Sequence, residues 1–230
     1  YYNFKYPKAG EKNSKVTVHS YSVATKDIKE LKVPVEGDYY IPRITFTTNS
    51  DQLAVMTLNR QQNVFNMYYV NPKSGVSRLI LRDENKCYVD SEWLTSIHFN
   101  PSGFTYVSEQ DGYSHIYLYS PTGVMQRQVT KGNWDVTRLI GYDDATKVVY
   151  YESAEESPLR RSVYKIDQKG VKTKLSEGEG TNSADFSANY AYFVNNYSNA
   201  NTPAVITVNE TKSKKVLRVL QDNAALREKL

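Results

Sequence analysis

Short segments in which apolar and polar residues alternate recur along the chain. This period-two pattern predicts half-buried β-strands, and the segments are bounded by turn-forming residues such as Pro121-Thr122-Gly123. They come in groups of four, in the order strand, turn, strand, loop, strand, turn, strand. Four such groups begin at Arg43, Ser96, Arg138 and Ser183. An internal repeat of four-stranded units is therefore the main structural feature that the sequence predicts.

The spacing of the groups identifies the architecture. The starts are separated by about 53, 42 and 45 residues, which is near the period of four-stranded propeller blades. Two further segments, Lys15–Ser22 and Ile28–Val33, resemble the last two strands of an earlier group. Tight Pro-Gly and Asn-Gly type turns favour antiparallel hairpins over parallel crossovers. We therefore expect an all-β fold, a partial β-propeller of about four to five four-stranded antiparallel blades.

Composition agrees with this prediction and excludes several classes of function. The 230 residues include 20 Tyr and 7 Phe, which suit pleated sheets. The formal charge of +4 is spread along the chain, so we expect no nucleic-acid partner. The longest apolar runs, such as Leu79-Ile80-Leu81, are far shorter than the roughly 20 residues of a membrane helix, so no membrane span is expected. The single cysteine, Cys87, excludes an internal disulfide and a multi-cysteine metal cluster.

Five segments carry a resemblance to a known family. They are Tyr6-Pro7-Lys8-Ala9-Gly10 followed by Asn13, Ser108–Ile116, Thr130–Val136, Tyr164–Ile166 and Arg218–Leu226. In this order they resemble successive landmarks of the dipeptidyl peptidase IV family, which belongs to the prolyl oligopeptidase-type serine peptidases. Each segment alone is a weak signal, but together they span nearly the whole chain.

The resemblance implies the later part of an eight-bladed N-terminal propeller, joined in the same protein to an α/β-hydrolase domain. We then expect residues 1–223 to be propeller and residues 224–230 to begin the linker toward that hydrolase domain. The family removes dipeptides from peptide N-termini, with Pro or Ala at the second position, so such peptides are the expected substrates. A bacterial-type member is expected, periplasmic or associated with the cell surface, and the parent protein is expected to form a homodimer.

The sequence contains no catalytic constellation for acyl transfer. No Gly-x-Ser-x-Gly nucleophile elbow occurs, and without it a histidine base has nothing to activate. His98 and His115 fall within predicted strands, and His19 alternates with Val16 and Val18. We therefore expect no catalytic residue in this chain, and no metal site or cofactor, since its short acidic turns lack the ligand spacing of a calcium loop.

Glu155-Glu156 is the pair most like a family site, because the family binds the substrate amino group with adjacent glutamates. In the family, however, that pair lies upstream of the Tyr-Pro-Lys-Ala-Gly landmark. Here the pair follows Tyr150-Tyr151 and precedes Pro158, which predicts a solvated loop between two strands. We do not assign amine binding to it.

Topology predicts which loops contact a ligand. In an up-and-down blade, the second-to-third connection and the connection to the next blade emerge at the same end of the sheet. The longer predicted loops are all of this kind: Arg60–Asn63, Arg82–Thr95, Glu109–Ser114, Ala154–Arg160 and Tyr197–Pro203. Ligand contacts concentrate on such loops when a rigid scaffold carries them.

Within the longest loop, Arg82–Thr95, Tyr88, Glu92 and Trp93 are the candidate substrate contacts. The corresponding family loop carries an aromatic residue and an arginine, but this chain has Glu92 and Trp93 at the approximately matching positions, so those side-chain roles do not transfer. The alternative is that Tyr88 and Trp93 simply pack beneath the loop.

The function that this resemblance implies is shaping the substrate chamber of a proline-specific serine dipeptidyl peptidase and gating peptide access. The chain itself is expected to be inactive. A non-enzymatic propeller that acts as an interaction scaffold is the alternative, because blades of this kind also support binding proteins. A glycan-processing propeller would need paired inward carboxylates, and the predicted first strands offer no such pair.

Overall fold

The computed structural model describes residues 10–229, so most of the Tyr6–Gly10 motif lies outside the described part. The described residues form strands almost throughout, with one 3₁₀ turn at Ser91–Thr95 and one short α-helix, α1 (Ala224–Arg227). None of the helices in residues 10–229 is long and apolar enough to cross a membrane. The chain divides into two compact units, one ending at Leu94 and the other beginning at Thr95.

The first unit contains a two-stranded and a four-stranded antiparallel sheet. Its strands are β1 (Val18–Tyr21), β2 (Ile28–Leu31), β3 (Tyr39–Phe46), β4 (Leu53–Asn59), β5 (Val64–Val70) and β6 (Ser77–Glu84). β1 pairs with β2, and the larger sheet has the order β3-β4-β5-β6. Val18 and Leu31 of the pair pack with Val55 and Tyr68 of the larger sheet, which forms the core of this unit.

The second unit contains three four-stranded antiparallel sheets. Its strands are β7 (His98–Asn100), β8 (Gly103–Ser108), β9 (His115–Tyr119), β10 (Met125–Gln128), β11 (Val136–Asp143), β12 (Val148–Ser153), β13 (Ser162–Ile166), β14 (Lys172–Lys174), β15 (Thr181–Phe186), β16 (Tyr192–Asn199), β17 (Thr202–Glu210) and β18 (Val216–Gln221). Each sheet joins four consecutive strands in chain order. Tyr150 and Val163 of one sheet pack with Ala184 and Phe193 of the next.

The fold class predicted from the sequence is confirmed: the chain is all-β, with four complete up-and-down four-stranded sheets of the propeller-blade type. The earlier group is only a two-stranded pair among the described residues. Burial explains why apolar and polar residues do not alternate strictly in the inner strands. Residues Leu53–Leu58 of β4 are all buried, because both faces of an inner strand are covered, whereas every residue of β18 is exposed.

Two predicted boundaries were wrong for identifiable reasons. The strand expected at Arg43–Phe46 begins at Tyr39, because the chain continues past Pro42 by a register shift between Tyr40 and Arg43. A bulge of this kind is where a strand tolerates a residue without an N–H donor. The long loop expected at Tyr197–Pro203 is a tight turn instead, because β16 extends to Asn199 and β17 begins at Thr202.

Candidate functional site

In the first unit, the connection between β4 and β5 is held in one conformation by Asn59. Its Oδ1 accepts the backbone N–H groups of Asn63 and Val64, both at 3.0 Å, and its Nδ2 donates to Asn63 Oδ1 at 2.7 Å. Arg60 donates from Nη2 to the Glu11 carbonyl at 2.9 Å. A short connection with this many internal bonds is a rigid platform.

The loop that follows β6 is attached to this platform. The backbone N–H of Asn85 donates to the Asn63 carbonyl at 3.0 Å, and that of Val89 donates to the Gln62 carbonyl at 2.8 Å. Val89 is also buried. The sequence predicted a single long loop over Arg82–Thr95, but β6 in fact continues to Glu84 and a 3₁₀ turn occupies Ser91–Thr95. The remaining loop is therefore short and anchored.

The three predicted substrate contacts lie on this anchored loop in different environments. The Tyr88 side chain is 61% exposed. Glu92 is exposed at the start of the 3₁₀ turn, where its backbone N–H donates to Asp90 Oδ1 at 2.9 Å. Trp93 is half-buried, and its Nε1 is buried without a hydrogen-bond partner among the described residues. Tyr88 is thus available to a ligand, Trp93 is largely packed, and substrate contact stays a prediction for all three.

In the second unit, His115 organises the loop between β10 and β11. The side chain is fully buried, and its Nε2 lies 2.9 Å from the Gly132 carbonyl oxygen, which can only accept. Nε2 must therefore carry the proton, and Nδ1 accepts from the Thr130 hydroxyl at 3.0 Å. Thr130 Oγ1 in turn accepts the Ile116 N–H at 3.0 Å.

Trp134 completes the arrangement around His115. The two rings meet edge to face, with centroids 5.0 Å apart at an angle of 89°. Both ring nitrogens of His115 are engaged and the ring is enclosed, so this histidine is structural, as its predicted place in a strand suggested. His115 fixes the Thr130–Trp134 loop by contacting Thr130, Gly132 and Trp134. These contacts account for three of the five residues in the Thr-Lys-Gly-Asn-Trp sequence.

Lys172 lies between acidic and aromatic groups at this loop. Its Nζ is 2.7 Å from Glu155 Oε2, and it is 5.8 Å from the Trp134 ring centroid and 5.7 Å from that of Tyr164. A lysine ammonium in this position gains both a carboxylate partner and two cation–π contacts. Burial, helped by the negative charge of Glu155, raises the pKa of the Tyr164 phenol well above its usual value, so it stays protonated.

The glutamate pair does not form a free amine-binding site. Glu155 is bonded to Lys172, and Glu156 lies 2.8 Å from the Nζ of Lys174. The Glu155 side chain is only 11% exposed, so the expectation of a fully solvated loop was wrong for this residue. Its lysine partner on β14 covers it. The hydrogen bond from Lys174 lowers the pKa of the Glu156 carboxyl.

A buried carboxylate joins two neighbouring sheets of the second unit. Glu152 Oε1 on β12 is 3.2 Å from Nη1 of Arg138, and the same oxygen accepts the Ala184 N–H at 3.0 Å and the Ser183 hydroxyl at 3.2 Å. Arg138 also reaches Asp185 at 2.7 Å. This network fixes β11 and β12 against β15 and supports the loops at the sheet ends.

No group of three or more His, Cys, Asp or Glu side chains suited to a metal ion occurs within residues 10–229. Cys87 is a free, exposed thiol. His19 lies 3.0 Å from the Thr17 hydroxyl, at the surface.

Sequence reasoning missed the residues that support the loops. Lys172 is 17 positions from Glu155, and Arg138 is 47 positions from Asp185. No local motif connects such partners. Only the alternation of facing residues in the sheets could have placed them together, and the register shifts in β11 obscure it.

Comparisons with known proteins agree on one family. Residues 1–204 match the family model described as the dipeptidyl peptidase IV N-terminal region. The crystal structure of Porphyromonas gingivalis dipeptidyl peptidase 4 is 60% identical and superposes with a TM-score of 0.96, covering 99% of this chain and 32% of that chain.

More distant relatives carry the same name. Dipeptidyl peptidase 4 of Trichophyton rubrum is 30% identical over 238 residues, and that of Arthroderma otae is 29% identical over the same length. Each match covers 98% of this chain and 30% of the relative. The chain therefore spans about a third of the length of the proteins that it matches.

Proposed function

The chain belongs to the dipeptidyl peptidase IV family, and on this premise we propose that it is a propeller segment of a proline-specific serine dipeptidyl peptidase that shapes the substrate chamber. The observation that carries the proposal is the family match over residues 1–204, which covers the first three complete sheets and the fourth as far as the start of β17. The substrates are peptides with Pro or Ala at the second position, and cleavage takes place in a hydrolase domain of the same protein.

Rigid loops are what this role requires. A chamber wall selects substrates by shape only if its loops keep their positions, and a scaffold of sheets supplies that rigidity. The loop of Tyr88 is bonded to the β4–β5 connection through two backbone hydrogen bonds, and the loop of Trp134 is fixed by His115. Exposed Tyr88 offers a large surface with a hydroxyl group, which suits contact with a peptide.

The segment contributes no group to bond cleavage. Its most enclosed histidine, His115, has both ring nitrogens bonded to Thr130 and Gly132. Its adjacent glutamates are neutralised by lysines. Amine recognition, the nucleophile and the general base then belong to other parts of the parent protein.

The activity is tested with the full natural chain and a Gly-Pro anilide. We expect release of the anilide, loss of this activity after treatment with a serine-directed organophosphate, and no activity from residues 1–230 alone. Cleavage by residues 1–230 that survives further purification would overturn the non-catalytic role. A full chain that binds peptides without cleaving them would favour the alternative, an interaction scaffold.

The contribution of the loop to the chamber is tested by Tyr88→Ala in the full chain. Loss of a stacking contact should raise KM for a peptide of several residues, by roughly fivefold for about 1 kcal/mol. The KM for the short anilide should change little, because it does not reach the loop. Tyr21→Ala is the matched control, since Tyr21 is also about equally exposed at 58% but lies on β1. Equal effects of both variants on both substrates would exclude a specific role for Tyr88.

We further propose that the parent protein is exported to the periplasm or cell surface of a bacterium and forms a homodimer. Cys87 is the single cysteine of these 230 residues, so they fold without an internal disulfide, and this supports a bacterial-type member over a disulfide-stabilised ectodomain. Cell fractionation with an antibody to the propeller, and light scattering of the purified full chain, test the two statements separately.

A further inference from the structure

Two large apolar side chains of β3 lie exposed on the core face of the first unit. Ile44 is 48% exposed and Phe46 is 60% exposed. They pair with Val55 and Leu53 of β4, which are buried in the core that β4 and β5 form with β1 and β2. Directly paired residues of antiparallel strands project to the same face of a sheet. The core face of this sheet is therefore covered at β4 and β5 but open at the end of β3.

The last sheet of the second unit shows how the same position is covered. Phe186 ends β15 and pairs with Phe193 of β16, just as Phe46 ends β3 and pairs with Leu53 of β4. Phe186 is half-buried, because its ring packs against Tyr150 with the two centroids 4.9 Å apart. Tyr150 belongs to β12, the second strand of the preceding sheet. An aromatic residue on a second strand is thus what covers the phenylalanine.

In the first unit, β1 and β2 correspond to the third and fourth strands of such a preceding sheet. Val18 of β1 pairs with Leu31 of β2, and both residues lie in the core. In the second unit, the backbone N–H of Leu175 donates to the Val163 carbonyl at 2.8 Å, and these two residues lie in the core beside Tyr150. The first unit therefore has equivalents of β13 and β14. No strand among residues 10–229 pairs with the other edge of β1, where an equivalent of β12 belongs.

The register of β12 on β13 gives the place of the aromatic residue. Tyr150 pairs with Lys165, which is two residues after Val163. The corresponding position of β1 is Ser20, two residues after Val18. An aromatic residue opposite Ser20 therefore projects to the core face.

We propose that the open end of this core face binds a further β-strand of the same protein, from outside residues 10–229. The strand pairs antiparallel with the free edge of β1, and an aromatic residue opposite Ser20 stacks against Phe46. Such a strand satisfies the free backbone groups along β1 and removes Ile44 and Phe46 from water. The surface belongs to the first unit and exists whether or not the protein cleaves peptides.

Two observations favour a strand of the same protein over a second copy. The chain covers only 32% of the Porphyromonas gingivalis enzyme, so a parent protein of that length has residues to supply the strand. Pairing between the β1 strands of two copies would not supply the aromatic residue, because on β1 the face that carries Val18 and Ser20 has no aromatic side chain.

Photo-crosslinking in the full natural chain identifies the occupant. Replacing Phe46 by p-benzoylphenylalanine keeps a large aromatic ring at the site. We expect an intramolecular crosslink to a segment outside residues 10–229, located beside an aromatic residue by peptide mass spectrometry. A crosslinked dimer on a denaturing gel would identify a second copy, and a crosslink within residues 10–229 would show that the described chain covers itself. Either result would overturn the proposal.

Thiol labelling measures the covering with smaller changes. In a Cys87→Ser background of the full natural chain, Ile44→Cys and Phe46→Cys are compared with Val23→Cys, since Val23 is 82% exposed in the turn between β1 and β2. We expect a water-soluble maleimide to modify the two β3 variants at least roughly tenfold more slowly, because a covered thiol reacts only when the strand opens. Thermal unfolding checks that each variant is folded. Comparable rates at all three positions in folded protein would contradict the proposal.

Discussion

Gly132 combines a backbone constraint with a packing constraint. Its φ is +146°, and a Cβ added there would lie 2.2 Å from Trp134 Nε1. Its carbonyl also accepts the hydrogen bond from His115. Gly132→Ala should lower the free energy of unfolding by about 2–3 kcal/mol, measured by urea denaturation followed by tryptophan fluorescence, because strain and displacement of Trp134 add.

Gly112→Ala is the matched control for that prediction. Gly112 also has a positive φ, +100°, but nothing lies within 4 Å of an added Cβ. Gly112→Ala should therefore lower the free energy of unfolding only through backbone strain, by about 1 kcal/mol. Equal losses for the two variants would mean that the contact with Trp134 does not determine the conformation of the loop.

Glu156 makes a pH-dependent contribution to stability. The hydrogen bond from Lys174 lowers its pKa from the ordinary value of 4.5, so the folded state holds the proton less tightly than the unfolded state. The contribution is complete above the ordinary pKa and is lost as pH falls through the lowered value. Glu156→Gln should cost less than about 1 kcal/mol near neutral pH, because both side chains are a third exposed, and nothing near pH 2.

Urea denaturation at a series of pH values measures this difference. Glu36→Gln serves as the control, because Glu36 is exposed and forms no ion pair with the described residues. A loss for Glu156→Gln that is the same at neutral and acidic pH would show that the ion pair with Lys174 is not its cause.

Between elements, the Arg138–Glu152 network stabilises the contact of two sheets. Removing Arg138 would leave the Glu152 carboxylate, whose side chain is only 8% exposed, without its cationic partner. Arg138→Met should lower the free energy of unfolding by about 2 kcal/mol, less than for a fully buried pair because Arg138 is itself 43% exposed. Denaturation followed by circular dichroism measures the loss.

Asp185, the exposed carboxylate partner of Arg138, provides a comparison with the buried Glu152. Asp185 is 82% exposed, so Asp185→Asn should cost under about 1 kcal/mol despite its shorter distance of 2.7 Å to Arg138. Adding Glu152→Gln to Arg138→Met should recover part of the loss, because the unpaired charge is removed. If Asp185→Asn is the more damaging variant, burial of Glu152 is not what makes the network important.

For the individual strands and turns, the sequence was a good guide to the structure, because these elements are determined by residues that are neighbours along the chain. Alternation and residues such as Asn71-Pro72 or Pro121 reveal hairpins, so all four complete sheets could be predicted. The prediction of a long loop at Tyr197–Pro203 was wrong, because the polar composition of this segment is typical of a loop. Its backbone nevertheless continues the pairing to Asn199 with Thr202, and Asn199 Oδ1 accepts the Asn201 N–H to close the turn.

The candidate site was less predictable than the sheets for a physical reason. Tyr88, Glu92 and Trp93 could be placed on a loop at a sheet end, but their exposure depends on backbone bonds from Asn85 and Val89 to the β4–β5 connection. Those bonds join segments by geometry rather than by residue type.

For the whole molecule, the exposure of β18 predicts how this chain behaves when it is prepared alone. β18 is an edge strand that pairs only with β17, and Val216, Leu217, Val219 and Leu220 are each about half exposed. The chain spans about a third of the length of its relatives, and if the proposed parent protein has their length, its other residues can cover this strand. An uncovered apolar edge favours pairing between copies.

Residues 1–230 alone should therefore self-associate as concentration rises, measured by light scattering after size-exclusion chromatography. Leu217→Lys combined with Val219→Lys should restore the monomer, because charge on an edge strand opposes pairing. Val23→Lys is the control, since Val23 is 82% exposed but lies outside every strand. Association that persists in the double variant would place the contact elsewhere. Association lost only in the double variant would identify β18 as the strand through which the copies pair.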